Sequence, residues 1–122
     1  MVIELKNEND LQRFIECNRI ALLAIANKND KNWRYVEYLL KRLENKAGYM
    51  ISFGIVHVDI IRNTLKEFEQ RIAEREVLIR LYFEGNCIFE QEGLFGHILS
   101  DEQALKRGIK EVLKKFSIKT LF

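Results

Sequence analysis

The chain has 122 residues, of which 48% are apolar and 31% charged, with a net charge of +2. That is the composition of one ordinary globular domain able to bury its own core, and the small net charge excludes a global field that would gather nucleic acid. No apolar run reaches the ~18 residues of a membrane span, and the opening MVIELKNEND lacks the basic and apolar regions of a signal peptide.

Val2 to Leu5 alternates as a short strand. Leu11, Phe14 and Ile15 then mark one helical face, with Asn9 or Asp10 as the cap. Ile20 to Ala26 is continuously apolar, as a strand buried on both faces must be. Trp33, Val36, Leu39, Leu40 and Leu43 form the stripe of a second helix, which Gly48 ends. Met50 to Val58 is a second buried strand, and Ile61, Leu65, Phe68 and Ile72 repeat at helical spacing. Val77 to Phe83 is a strand, Gly85-Asn86 a tight turn and Cys87 to Glu90 the hairpin partner. Ser100 and Gln103 form a capping box for a last helix that buries Leu105, Ile109, Val112 and Phe116.

The order is therefore β-α-β-α-β-α-β-β-α. Strands joined by a crossover helix pair in parallel, and the terminal hairpin adds antiparallel strands. Helices must cover both faces of this mixed sheet, because its central strands show almost no polar alternation. The fold class is a three-layer α/β/α domain.

This order and several local stretches resemble the thioredoxin fold family. VIELKNENDLQRFI resembles the family's opening, and ISFGIVHVD its central strand, ending in an acid at Asp59. LIRLYFEGNCIFEQEG resembles the strand, turn and strand before the last helix, and the resemblance spans residues 1–116. It also implies what the chain has lost. The redox motif Cys-x-x-Cys falls on Asp30, Lys31, Asn32 and Trp33. The family's buried acid falls on Ala24, the aromatic residue before the motif on Ala26, and the cis-proline near Leu78, in a chain with no proline at all. Thiol–disulfide exchange needs a low-pKa thiolate and a second, resolving thiol. Asp30 and Trp33 supply neither, so the expectation is a redox-inactive member.

Other candidate sites carry less. Cys17 and Cys87 match no metal or redox spacing; Cys17 reads as a small half-buried residue, with a single-thiol redox enzyme or sensor as the alternative. His57 and Asp59 share a face at a strand end, but one such pair makes no metal site. His97 falls in a loop. Lys106, Lys110 and Lys114, with Arg107, line one side of the last helix. Such a run is ordinarily a solvated face; a nucleic-acid stripe is the alternative, weakened because few aromatics interleave with it. No metal and no cofactor are expected.

Residues 117–122 continue past the fold. KFSIKTLF, Lys115 to Phe122, resembles the box by which proteins dock on the DNA sliding clamp. Ser117, Ile118 and Phe122 fit that pattern, whereas Lys115 replaces its glutamine and Leu121 its first aromatic residue. A helical turn would gather Ile118, Leu121 and Phe122 as anchors for a hydrophobic pocket; the plainer reading folds them back onto the domain or into a dimer contact. The function expected is a non-catalytic protein-binding module, monomeric or homodimeric, in the cytoplasm. Its partner is another protein, with direct nucleic-acid contact disfavoured and no membrane contact.

Overall fold

The computed structural model describes residues 1–61, 77–120 and 122. Its elements are β1 (Ile3–Leu5), α1 (Glu8–Cys17), β2 (Ile20–Ala26), α2 (Asn32–Ala47), β3 (Ser52–His57), α3 (Val58–Ile61), β4 (Leu78–Phe83), β5 (Asn86–Glu92) and α4 (Ile98–Lys114). This is the expected order. The helical repeat at Leu65, Phe68 and Ile72 lies outside the described residues.

The strands form one five-stranded sheet in the order β1-β3-β2-β4-β5. β1 and β2 flank β3 in parallel, and β4 runs antiparallel to β2 and to β5. β2 lies at the centre, and all seven of its residues are buried. Alternation along the strands divides the core into two layers. Leu22, Ala24, Phe53, Ile55, Ile79 and Leu81 face α2 and α4. Leu23, Ile25, Val56, Leu78 and Tyr82 face Leu11 and Phe14 of α1. Burial of these side chains is the main stabilising term, at roughly 1.5–3 kcal/mol for each large one.

Several boundaries differ from the sequence reading. α1 is capped by Asn7, whose Oδ1 accepts the Asp10 amide at 2.8 Å; Asn7 is extended, the conformation a cap needs. The hairpin turns at Glu84 and Gly85, both left-handed at φ 50° and 85°, so Asn86 already pairs with Phe83. α4 starts at Ile98, with His97 Nδ1 accepting the Ser100 amide at 3.4 Å, which places Ser100 and Gln103 inside the helix. Its buried stripe is Leu105, Ile109 and Leu113. Val112 is half-buried, and Phe116 lies past the helix, 45% exposed and edge-on to Phe83 at 4.8 Å between ring centres.

The described residues past α4 are not a free appendage. α4 closes with a paired set of backbone bonds, from Ser117 N–H to the Lys114 carbonyl and from Ile118 N–H to the Leu113 carbonyl, both 3.0 Å. Ser117 adopts the left-handed conformation (φ 61°) that this closure requires. The reversal carries Ile118 back over Leu113, and Ile118 and Phe122 pack half-buried against the layer beneath α2 and α4. This arrangement agrees with the plainer of the two readings of the tail, in which it folds back onto the domain.

Candidate functional site

The turn from β2 into α2 occupies the carboxyl-terminal edge of the parallel strands, where α/β folds place their sites. Asp30 N–H donates to the Asn27 carbonyl at 3.0 Å, and Asp30 Oδ1 accepts the Asn32 amide at 3.1 Å. Lys31 is exposed and gives α2 no side-chain cap. Trp33 is 6% exposed and belongs to the core between the sheet and α2, because the stripe that buries Val36, Leu40 and Leu43 begins at its position. The Lys28 ammonium sits 5.9 Å from the centre of the Trp33 ring and pairs with Glu4 of β1 at 2.6 Å. An open cleft of ≈ 570 Å³ lies over this turn, lined by Lys28, Asp30, Lys31, Trp33, Arg34 and Glu37 among others.

Ala24, at the place of the buried acid, is completely buried in the same layer as Trp33. No titratable group replaces it on that strand. The ring of His57 is spoken for at both nitrogens. Its Nδ1 accepts the Lys28 amide at 2.9 Å, so the ring proton sits on Nε2 and points at Asp59 Oδ2, 3.0 Å away. This pair braces the turn against β3. Among the described residues no three His, Cys, Asp or Glu side chains are grouped to hold a metal.

A second element borders α2. The loop between β5 and α4 carries Phe95, 76% exposed, between Gly93 and Gly96, whose φ of 76° and 84° only glycine adopts without strain. Asp101, fully buried in the first turn of α4, holds this loop. Its Oδ1 accepts the Phe95 amide at 2.7 Å and its Oδ2 the Gly96 amide at 3.1 Å. Tyr35 of α2 donates its hydroxyl to the same carboxylate. Burial, reinforced by that bond and by the negative charge, raises the Tyr35 pKa above its ordinary value. Two helical turns further along α2, Arg42 pairs with the buried Glu102 at 2.6 Å. Sequence inspection missed Phe95, Leu99 and this Asp101 anchor. A bulky apolar residue between two glycines was the available signal.

The remaining candidates are dispersed. Cys17 ends α1 and is exposed rather than half-buried, and Cys87 opens β5, also exposed; the two are not joined in a disulfide. The Cys87 thiol donates to the Phe89 carbonyl at 3.5 Å. Of the tail candidates, Lys115 and Ser117 are exposed within the closing turn, Ile118 and Phe122 are half-buried, and Leu121 lies outside the described residues.

No family model matches the chain, and no curated protein matches it in sequence. Solved structures do. The chain is similar to oxidised thioredoxin from Plasmodium falciparum, at TM-score 0.69 and 14% identity, over 91% of this chain and 97% of that one. It is similar to mitochondrial thioredoxin 3 from Saccharomyces cerevisiae, at TM-score 0.64 and 21% identity, over 90% and 94%. It is also similar to a mutant thioredoxin from Halobacterium salinarum, at TM-score 0.66 and 10% identity, over 88% and 89%. The chain has a thioredoxin-like fold. Among the described residues no helix is long and apolar enough to cross a membrane.

Proposed function

We propose that this chain is a non-catalytic protein-interaction module on a thioredoxin-like scaffold, with its partner surface on the loop before α4. One pairing carries the reading: Trp33 is core where a thiol would be needed, while Phe95 stands 76% exposed on a loop pinned by Asp101. Leu99, 57% exposed, extends the same surface along the first turn of α4. Aromatic side chains on rigid backbone are what interfaces use as anchors, because little conformational entropy is lost on binding. The turn at Asp30–Trp33 offers no thiolate for exchange chemistry.

The test has two arms. In insulin reduction with dithiothreitol as electron donor, the expected rate is background; a rate above it that Cys17→Ser removes would replace this reading with a single-thiol enzyme. In photo-crosslinking, a reactive phenylalanine analogue at position 95 should trap a partner that the same analogue at Tyr49, 65% exposed after α2, does not. The sliding clamp is the specific partner that the tail's resemblance names. Docking there would require Ile118 and Phe122 to leave the core, which is why the surface is placed at Phe95. Calorimetry of the full chain against the host's clamp decides between them: heat lost with Phe122→Ala but kept with Phe95→Ala would move the partner surface to the tail.

A further inference from the structure

Lys106, Lys110 and Lys114 recur along α4 at steps of four residues and so share one face, with Arg107, three residues before Lys110, at its edge. By itself this is a solvated stripe. The returning C-terminal segment makes it the wall of a channel. One cleft, of ≈ 340 Å³, is lined by Lys110, Lys114, Ile118, Lys119 and Thr120. A second, of ≈ 320 Å³, is lined by Gln103, Lys106, Arg107, Lys110 and Phe122. Lys110 lines both, and together the two linings extend along α4 from Gln103 to Lys114, roughly 16 Å at 1.5 Å per residue.

The channel wall is mostly cationic. Lys46 of α2 approaches from beside it, and the neighbouring Lys106 ammonium holds the Lys46 ammonium below the usual lysine range. Two carboxylates of α4 border this face: Glu102, which Lys106 at 2.7 Å and Arg42 at 2.6 Å already share, and the exposed Glu111, four residues after Arg107. Among the described residues no carboxylate pairs with Lys110, Lys114 or Lys119. Thr120 Oγ1 is buried on the channel wall and has no hydrogen-bond partner among the described residues. A chain with a net charge of only +2 thus gathers Lys106, Arg107 and Lys110 beside the half-buried ring of Phe122.

We infer that the channel between α4 and the tail binds single-stranded nucleic acid without sequence preference, its lysines following the phosphates and Phe122 stacking on a base. A repeating anion along a line answers the lysine row, and a flat base answers the ring. A duplex is the poorer fit, since base readout there needs a convex element that enters a groove. An acidic peptide matches the charge and leaves the ring without a role. This inference is independent of the Phe95 surface.

The experiment is fluorescence anisotropy of a labelled oligothymidylate of about twelve nucleotides, titrated with the full chain at several salt concentrations. Binding should appear below about 100 µM and weaken about a hundredfold between 50 and 200 mM salt if five phosphates are neutralised. Reversal of two exposed cations, Lys110→Glu with Lys114→Glu, should weaken binding at least tenfold and reduce the salt slope by roughly 1.4. Lys6→Glu, at an exposed position outside the channel, should change neither. Phe122→Ala should weaken binding and leave the slope as it was; should that variant lose stability, the lysine reversal still decides. No anisotropy change, binding indifferent to the lysine reversal, or tighter binding of a poly-glutamate peptide than of the oligonucleotide each overturns the inference.

Discussion

Tyr35 of α2 donates its hydroxyl proton to the fully buried carboxylate of Asp101 in α4. The same carboxylate accepts two amides of the preceding loop, so one side chain ties a helix, a loop and a second helix together. Tyr35→Phe leaves a buried carboxylate one donor short and should cost about 2 kcal/mol. Tyr38→Phe, at a residue 52% exposed, should change stability by less than about 0.5 kcal/mol. Urea unfolding of the two variants separates them, and equal effects would show that the Asp101 anchor adds nothing.

Trp33→Ala tests the start of α2 as a piece of core. The ring is 6% exposed and continues the stripe of Val36, Leu40 and Leu43. Truncation should destabilise the domain by about 3–5 kcal/mol, read as a fall in melting temperature. An unchanged melting curve would show that the ring is a surface feature.

The closing turn of α4 predicts opposite effects at adjacent residues. Ser117 sits at φ 61°, a conformation that disfavours any side chain, so Ser117→Gly should raise stability by about 1 kcal/mol. Ile118→Ala removes half-buried apolar contacts and should lower it by about 1–2 kcal/mol. If neither substitution moves the melting temperature, the tail is not seated as described.

Glu102 gives the fold a component that depends on pH. The Lys106 ammonium, with Arg42 behind it, holds this buried carboxyl below its ordinary value of 4.5, against the opposing effect of burial. A carboxylate depressed in the folded state stabilises fully above its unfolded value, and that contribution fades as pH falls from 4.5 through the lower folded value. Glu102→Gln should therefore cost about 1–2 kcal/mol near neutral pH, and the gap to the parent should close in acid. Thermal melts at a series of pH values read this directly, and a gap that widens in acid would reverse the assignment.

The architecture was legible because its signals are collective. Seven consecutive apolar residues at Ile20–Ala26 admit little but a central strand, and the stripe from Trp33 to Leu43 has a single helical reading. What escaped notice depends on single groups. Asn7, Asn9 and Asp10 are all competent caps, and only the backbone angle at Asn7 selects among them. Val112 and Leu113 are neighbours on a helix, and a rotation of one residue decides which is buried. At the tail, glycine is the usual mark of a reversing helix end, and serine stands there instead. Phe95, an exposed aromatic in a short loop, has no periodicity to reveal it.

Gly108 lies midway along α4, where glycine costs a helix about 1 kcal/mol against alanine. A Cβ there would come within 2.5 Å of the Phe89 ring of β5. The missing methyl leaves a notch in α4 that the ring occupies, so a side chain at position 108 would push Phe89 aside or lift the helix from β5. The row of lysines, the closing turn and the returning tail all hang from that helix, so a change at this one notch would reach them too.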